Sequence, residues 1–331
     1  MMDAGYISGH PAHEALAGSV SKNRYEIPGK EERNWVSYLL DAIPRAWNTP
    51  RHDVIINEGG RTLPLVFLKA VLRRRFVHIV RSNDMFFDFG GIPRHKRLIL
   101  KLVARYIDGV IAVSDMVEEC VRKNTSLPVR KVNTFVKADY LEVQPDLSAR
   151  NIIAIGTRYP QKGNDILAEV DKKLREHSYR GETFVLGREE PPEFIKEYAR
   201  NQPHFHLAGF VDEPKDYLAK GCFYVHPARF DAAGCSVVEA MAAGLIPIVS
   251  KKTGNKEVVN QVDPALVIEN TPENFYHKLS DLMELSEPEL IILSDRAKEV
   301  ASAYTFDRIK EDFKRAVGEL LHDIEGERHA G

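Results

Sequence analysis

The sequence predicts an α/β protein with two Rossmann-like, doubly wound domains, one after the other. Short apolar strands alternate with helical segments along the chain, which is typical of βα units on a parallel sheet. The alternation stops in the acidic and polar stretch EVQPDLSARN at 142–151 and then restarts. A chain of 331 residues is long enough for two domains of ordinary size. We therefore expect an N-terminal domain at 1–145 and a C-terminal domain at 146–331, whose last helix can pack back on the N-terminal domain. Ligands should bind in a central cleft that both domains face, beyond the carboxyl ends of the strands.

The elements of the N-terminal half follow from apolar runs of strand length and from helical periodicity. The predicted strands are GYIS, RYEI, DVIIN, FVHIV, GVIAVS and KVNTFV. The predicted helices are WVSYLLDAI, LPLVFLKAVLRRR, RLILKLVARYI and one that begins at Asp115.

The C-terminal half repeats the pattern. Its predicted strands are IIAIG, TFVLG, FHLAGF, CFYVH, LIPIVS and ALVIE. The helices between them are NDILAEVDKKLREH, PEFIKEYARN, EPKDYLAK and SVVEAMAA, and three helical segments end the chain, the last being FDRIKEDFKRAVGELL.

The composition is that of a globular protein without a membrane span. Hydrophobic residues make up 44% of the chain and charged residues 28%, no apolar run is long enough to cross a bilayer, and the N-terminus lacks a secretion-signal pattern. Cys120, Cys222 and Cys235 are scattered and form no CxxC pair, which indicates a reducing compartment rather than disulfides or a zinc site. We therefore expect a cytoplasmic protein, with association to a membrane as the alternative.

Basic residues are concentrated in the N-terminal half. Residues 1–148 contain 22 Lys and Arg against 17 Asp and Glu, and 61–105 contain 11 against 2. On a helix, the spacing of four of them forms one basic stripe beside apolar residues; the stripe is Arg94, Arg97, Lys101 and Arg105, beside Leu98, Leu102 and Tyr106. A solvated helix face is the simpler interpretation, and an anionic lipid surface or a phosphorylated acceptor is the functional one. No recognition motif accompanies the charge, so nucleic acid is not an expected partner.

The loop GTRYPQKGND at 156–165 joins a predicted strand to a predicted helix. Gly156 and Gly163 would let the backbone approach a ligand, while Arg158 and Lys162 suit phosphate oxygens near a helix N-terminus. A solvated turn with two surface charges is the alternative. Neither GxxxxGK[ST] nor GxGxxG is present, so the loop is not a P-loop or a dinucleotide fingerprint.

Two further loops follow strands of the C-terminal half. In AGFVDEP at 208–214, Phe210 and Val211 could hold a flat base, although ordinary packing is the simpler interpretation of this motif alone. In RFDAAGCSVVEAMAAG, the carboxylates Asp231 and Glu239 flank a turn that Gly234 permits. Ser236 and Glu239 also fit a capping box that would simply start a helix.

Taken in order, these motifs resemble the retaining glycosyltransferases of family 4, whose fold is the two-domain GT-B architecture. The family motif EGFGLPxxEAMAxGxPVV aligns with DAAGCSVVEAMAAGLIPIV, so that Asp231 and Glu239 take the two acidic positions. GTRYPQKGNDIL resembles the family's GRLxxxKGxDxL, FHLAGFVDEPKDYLAK its xxxxGxVxxxxLxxxY, and TGNKEVV its GGxxEVV. The resemblance covers about 155–320 and is fainter from 53 to 138, where DGVIAVSDMV matches best.

The resemblance implies a donor site for a nucleoside-diphosphate sugar. Glu239 would accept hydrogen bonds from the ribose hydroxyls, Asp231 would hold sugar hydroxyls, and Arg158 with Lys162 would stabilise the departing diphosphate. The implied donor-binding set is Gly156, Arg158, Lys162, Phe210, Val211, Asp231, Gly234, Cys235, Ser236 and Glu239. No Asp-x-Asp is present, so no metal cofactor is expected, and the basic residues with the helix start at Ser236 would replace it.

The sequence departs from the family pattern at several site positions. Asp231 is shorter than the family Glu, and Ala232, Ala233, Cys235 and Ser236 replace Gly, Phe, Leu and Pro. On the acceptor side, where the family often presents a histidine, the candidates are Gly9 and His10 in SGHPAHEAL, and Asn83 and Asp84 in VRSNDMF.

Three functions are consistent with these residues. The first is a retaining, metal-independent glycosyltransferase that moves a hexose from a nucleotide sugar to a glycan, lipid-linked or small-molecule acceptor. The second is a GT-B-type sugar-nucleotide epimerase or hydrolase. The third is a non-catalytic nucleotide-sugar-binding protein, which Asp231 and the altered turn would favour.

Overall fold

A computed structural model of the chain describes residues 4–8, 16, 18–21, 23–26, 35–59, 62–88 and 93–330. The chain forms two compact units, one made of 1–133 with 307–331 and the other of 134–306. The units divide at 133, not at the predicted 145, because residues after 133 pack into the second unit. The Val136 amide donates to the Tyr304 carbonyl at 2.9 Å, and Tyr140 is part of the second unit's core.

The first unit is built on a parallel six-stranded sheet with the order β2-β1-β3-β4-β5-β6. Its strands are β1 (Ala4–Ser8), β2 (Asn23–Glu26), β3 (Val54–Glu58), β4 (Val77–Ser82), β5 (Gly109–Ala112) and β6 (Val129–Lys131). Its helices within the first 133 residues are α1 (Trp35–Asn48), α2 (Thr62–Ala70), α3 (Arg94–Ala104) and α4 (Asp115–Asn124).

The last strand of this sheet lies earlier in the chain than predicted. The sequence placed it in KVNTFV, but β6 ends at Lys131. Phe135 instead packs edge-on against Phe306 with 5.2 Å between the ring centroids, and Val136 pairs with Thr305. Phe135 and Val136 of KVNTFV therefore serve the second unit, whereas the Val132 amide still donates to the Ala112 carbonyl of β5 at 2.8 Å.

The C-terminal helix (Phe306–Ala330) belongs, from residue 307 onward, to the first unit. The Phe313 ring lies 6.3 Å from that of Tyr6 on β1. Arg130 in β6 forms ion pairs with Glu319 at 2.8 Å and with Asp323 at 2.6 Å. These contacts tie the end of the chain to a sheet formed by its beginning.

The second unit is built on another parallel six-stranded sheet, with the order β12-β11-β10-β7-β8-β9. Its strands are β7 (Ile152–Ile155), β8 (Thr183–Leu186), β9 (Phe205–Gly209), β10 (Phe223–His226), β11 (Ile246–Ser250) and β12 (Val267–Ile268). Its helices are α5 (Asn164–Glu176), α6 (Glu193–Asn201), α7 (Lys215–Leu218), α8 (Cys235–Ala242), α9 (Lys256–Val259), α10 (Pro272–Met283) and α11 (Glu287–Ser302), with short 3-10 turns at Ala138–Glu142 and Pro264–Leu266.

Every residue of β10 and β11 is buried, as expected for parallel strands that are covered on both faces. The prediction of two Rossmann-like, doubly wound α/β domains is thus confirmed. Within the described residues, no helix combines the length and the hydropathy needed to cross a bilayer.

The strand order of the second sheet reverses between β7 and β10. From β7 the chain adds β8 and β9 on one side, and from β10 it adds β11 and β12 on the other. Loops that leave two adjacent strands toward opposite faces open a crevice at the carboxyl ends of those strands, which is where such sheets bind ligands. In this unit the loop after β7 contains Lys162, and the loop after β10 contains Asp231.

Gly163, which ends the loop after β7, is required for the loop to lie against the one after β10. Its φ is +71°, and an added Cβ would lie 1.9 Å from the Pro227 carbonyl oxygen. Gly209 has a nearly identical φ of +70°, but no atom of the described chain lies within 4 Å of the Cβ position. The two glycines therefore share a backbone conformation and differ in steric surroundings.

We predict that Gly163→Ala lowers the free energy of unfolding by about 2–5 kcal/mol, from left-handed strain of about 1–2 and overpacking of about 1–3. Gly209→Ala should lower it by the strain alone, about 1–2 kcal/mol. Urea denaturation of both variants measures the difference. Equal losses would show that the contact with Pro227 relaxes freely.

Candidate active site

The loops that follow the parallel strands of the second sheet lie at its carboxyl edge, and a largely shielded ion pair joins the loops after β7 and β10. Lys162 Nζ, from the loop after β7, donates to Asp231 Oδ2 at 2.5 Å, from the loop after β10. The Lys162 side chain is 22% exposed and that of Asp231 13%, so the pair is largely shielded from water yet reachable. The structure thus brings together, at the switch point, two residues predicted from separate motifs.

Asp231 is the most connected carboxylate of this edge. Besides Lys162, its Oδ2 accepts from His226 Nε2 at 2.9 Å, and its Oδ1 accepts from the Gly234 amide at 3.0 Å. Burial alone would raise the pKa of Asp231, but the hydrogen bonds from His226 and Lys162 and the positive charge of Lys162 outweigh it and lower that pKa far below the usual range. Asp231 is therefore ionised throughout the physiological pH range.

His226 is a site residue that the sequence motifs did not identify. Its ring is 2% exposed and stacks near Tyr224, whose hydroxyl lies 3.3 Å from His226 Nδ1 and donates to Ser236 Oγ at 2.7 Å. Burial lowers the pKa of His226, with Asp231 opposing the shift, so the neutral ring donates through Nε2. A polar chain thus runs from Asp231 through β10 to helix α8. In the sequence, a single His before a Pro is equally consistent with the simple end of a strand, so the motifs could not reveal that His226 belongs to the site.

The capping box proposed for Ser236 and Glu239 is wrong. Helix α8 begins at Cys235, with Gly234 in the left-handed conformation (φ +63°) as its N-cap and no side-chain cap. Ser236 therefore lies inside the first turn, where its hydroxyl accepts from Tyr224. Glu239 is not needed to start the helix.

Within the described chain, the Glu239 carboxylate takes part in no hydrogen bond or ion pair, although its side chain is half-buried. Burial raises the pKa of Glu239, and the charge of Lys137 offsets only part of that shift. A half-buried acceptor with unused lone pairs destabilises the fold unless something else satisfies it. Its position in α8 is therefore explained better by a ligand than by stability.

Arg158 and Phe210 lie at the same sheet edge but are not joined to the Lys162–Asp231 pair. Arg158 Nε donates to Glu189 Oε1 at 2.9 Å, and both side chains are well exposed; such pairs are worth little. The exposed Phe210 ring lies 4.6 Å from the guanidinium of Arg188. Val211 packs partly against the core, as its alternative interpretation predicted.

The small residues of the site shape the loops. Gly156 has φ +114° and lies against the methylene groups of Lys162. The Gly234 carbonyl accepts from Asn255 Nδ2 at 3.0 Å, and the Gly254 amide donates to the Asp231 carbonyl at 2.7 Å, so the TGNKEVV segment holds the turn. Cys235 is exposed at the start of α8.

The acceptor-side candidates stay predictions. Gly9 and His10 lie outside the described residues. Asn83 is exposed in the turn after β4, and Asp84 accepts from the Phe86 amide at 3.0 Å in that same turn. Among the described residues, no group of three or more His, Cys, Asp or Glu is placed to hold a metal ion.

The two doubly wound units with parallel six-stranded sheets define the class of the fold, which is GT-B. Residues 149–285 match the family model described as "Glycosyl transferases group 1". That segment contains every predicted donor-side residue, from Gly156 to Glu239.

Solved structures share the fold over nearly the whole chain. A sucrose-phosphate synthase from Thermosynechococcus elongatus has a TM-score of 0.73 at 13% identity and covers 98% of this chain and 100% of its own. The Anabaena protein Alr3699/HepE in complex with UDP-glucose has a TM-score of 0.73 at 13% identity, covering 96% and 100%.

Curated relatives are named phosphatidylinositol N-acetylglucosaminyltransferase GPI3 subunits. The Schizosaccharomyces pombe protein is 27% identical over 293 residues, 83% of this chain and 59% of its own length. A Saccharomyces cerevisiae protein is 27% identical over 223 residues, 62% and 47% of the two chains. The chain thus spans about half the length of these relatives.

We predict that Glu239→Gln stabilises the protein. A raised pKa in the folded state means that the ionised form is disfavoured by folding, so above the ordinary pKa of glutamate the carboxylate lowers the free energy of unfolding. A neutral amide of the same shape should raise stability by about 1 kcal/mol, or roughly 2–4 °C in Tm. Differential scanning calorimetry at pH 7.5 measures it, and a lower Tm would restore a structural role for the carboxylate.

Proposed function

We propose that this chain is a retaining, metal-independent glycosyltransferase that moves a hexose from a nucleoside-diphosphate sugar to a hydroxyl acceptor. The observation that carries the proposal is the Lys162–Asp231 ion pair at the β7/β10 switch point, beside a helix whose Glu239 carboxylate is unused by the fold. The match of 149–285 to group 1 glycosyl transferases supports it.

Lys162 is the residue proposed to bind the diphosphate. An ammonium group has three donors, so Lys162 can keep its bond to Asp231 and still donate to a phosphate oxygen. Arg158 would add a second cation once it leaves Glu189, which is easy because that ion pair is exposed. Both charges would stabilise the negative charge that develops on the leaving diphosphate.

Asp231 acts mainly by holding Lys162 and the following turn. A carboxylate offers about four acceptor positions, and Asp231 already accepts from Lys162, His226 and the amides of Ala233 and Gly234. Sugar hydroxyls can therefore reach it only by sharing or replacing one of these bonds. Glu239, with its free lone pairs, is proposed to accept from the ribose hydroxyls.

The reaction breaks the bond between the anomeric carbon and the diphosphate oxygen. The acceptor hydroxyl oxygen forms its new bond on the same face, and its proton passes to the departing diphosphate. The positive groups act on the leaving group without a divalent ion, so full activity in EDTA is expected.

N-acetylglucosamine on uridine diphosphate is the donor that we propose to test first. The curated relatives are named for N-acetylglucosaminyl transfer to phosphatidylinositol, and one structural neighbour is bound to UDP-glucose. A lipid-linked acceptor and a cytoplasmic or membrane-associated location fit the same names.

We predict that Glu239→Gln weakens nucleotide-sugar affinity about tenfold, because a charge-assisted hydrogen bond to a ribose hydroxyl becomes a neutral one. Titration calorimetry with UDP-N-acetylglucosamine in EDTA measures the dissociation constant. Glu197→Gln, at an exposed position on α6, is the matched control and should bind like the parent chain.

Tight binding without transfer to any acceptor or to water would instead favour a non-catalytic binding protein. Turnover at full rate with water alone would favour a hydrolase.

Donor affinity should fall as the pH is lowered, starting above the range in which an ordinary glutamate titrates. The folded-state pKa of Glu239 is raised by burial, and its protonated form offers fewer acceptors for the ribose hydroxyls. A nucleotide sugar is the proper probe, since its diphosphate diester does not titrate in this range. The Glu239→Gln variant should bind independently of pH there, and parallel pH profiles for the two proteins would contradict the assignment.

A further inference from the structure

Helix α3 exposes three large apolar side chains on one side. Leu98 is 71% exposed, Ile99 57% and Leu102 52%, and spacings of three and four residues place Leu102 next to both of the others. A single exposed leucine is ordinary, but a contiguous patch of this kind marks an interaction surface. The inward side of α3 is formed by Val103 and Ala104, which are buried, so the apolar residues of this helix exceed what the core uses.

The same helix is strongly basic. Arg94, Arg97, Lys101 and the following Arg105 are exposed, and none of the four has an ion-pair partner among the described residues. No acidic residue occurs between Pro93 and Asp108 in the sequence. The apolar patch is thus surrounded by positive charges that nothing in the described chain neutralises, whereas a merely solvated helix face needs no exposed leucines.

The surface continues beyond the helix. Tyr106, just after α3, lines a cavity of about 780 Å³ together with the basic run 73–75 and with the acidic Asp53, Asp108 and Glu325. Val71 and Trp47, at the ends of α2 and α1, are 59% and 52% exposed, and the Arg74 guanidinium lies 6.0 Å from the Trp47 ring. The strands joined by α1, α2 and α3 are added in one direction along the sheet, so right-handed crossovers place these helices on one face of it.

The charge of this surface decides among its occupants. A second copy paired symmetrically through it would bring α3 against α3 and oppose like charges at close range. An anionic bilayer offers both the negative charge and the apolar environment that this surface needs in a partner. Its phosphates pair with Lys and Arg heads, while Leu, Ile and Trp side chains enter the boundary between head groups and acyl chains.

We propose that helix α3 and the adjoining turn 71–75 form a docking surface for an anionic lipid bilayer. The surface lies in the first unit, and every proposed donor residue lies in the second. Vesicle binding and donor binding can therefore each fail without the other.

The test is co-sedimentation of the full chain with vesicles of phosphatidylcholine, or of phosphatidylcholine with phosphatidylglycerol at a molar ratio of 7 to 3. Binding is expected only to the anionic vesicles, and it should weaken strongly between 0.1 and 0.5 M NaCl because the phosphate contacts are screened. Arg97→Gln with Lys101→Gln should lower the partition coefficient about thirtyfold, as expected for two basic groups near an anionic surface.

The apolar contribution is tested separately. Changing Leu98, Ile99 and Leu102 together to Ser should lower partitioning at least tenfold, and these exposed positions should leave Tm unchanged. Ile291→Ser with Ile292→Ser is the matched control, since these α11 side chains are 43% and 67% exposed in the other unit.

Three results would overturn the proposal: equal binding to neutral and anionic vesicles, no binding to either, or loss of binding in the Ile291/Ile292 control as great as in the α3 variant. A dimer in sedimentation equilibrium that the α3 variant abolishes, in a chain that ignores vesicles, would identify the surface as a self-association face instead.

Discussion

The Lys162–Asp231 ion pair depends on the strand order of the second sheet, which reverses between β7 and β10. Parallel strands added in opposite directions from β7 and β10 leave two neighbouring loops that depart toward opposite faces, which opens a crevice at the carboxyl edge where side chains from distant segments can meet. Gly163 lets the first loop touch the second, and His226 holds the carboxylate from inside the sheet. The polar chain from His226 through Tyr224 to Ser236 extends the same order to helix α8, so the ion pair and Glu239 are positioned by one rigid assembly.

Glu239 illustrates how a site can oppose the fold that contains it. A carboxylate that is half-buried, without a partner in the described chain and with a raised pKa lowers stability at neutral pH. Asp231, eight residues earlier, has the opposite electrostatic environment, with two side chains and two backbone amides directed at it. Two carboxylates of one motif are thus kept in different states, one satisfied by the protein and one left available for hydroxyl groups.

Features of the structure that depend on local sequence patterns could be predicted, whereas features that depend on long-range contacts could not. The largely apolar runs of β10 and β11 are typical of buried parallel strands, and their alternation with helical segments predicted both sheets. The motif spacing also indicated that Lys162 and Asp231 belong to loops at one edge. Where long-range contacts decide, the pattern was insufficient. KVNTFV has the composition of a strand, but its Phe135 and Val136 pack in the second unit. Ser236 has the spacing of a cap but bonds to Tyr224. His226 was missed for the same reason, because its role arises only when β10 pairs beside β7.

The C-terminal helix has a consequence for how the protein is made. Residues 134–306 form a continuous unit that can collapse as soon as it leaves the ribosome. The first unit is discontinuous. Tyr6 meets Phe313 across nearly the whole chain, and Arg130 meets Glu319 and Asp323 across more than half of it. During translation the earliest-made sheet must therefore wait with part of its apolar surface uncovered, which makes the nascent N-terminal segment the part most in need of chaperone protection.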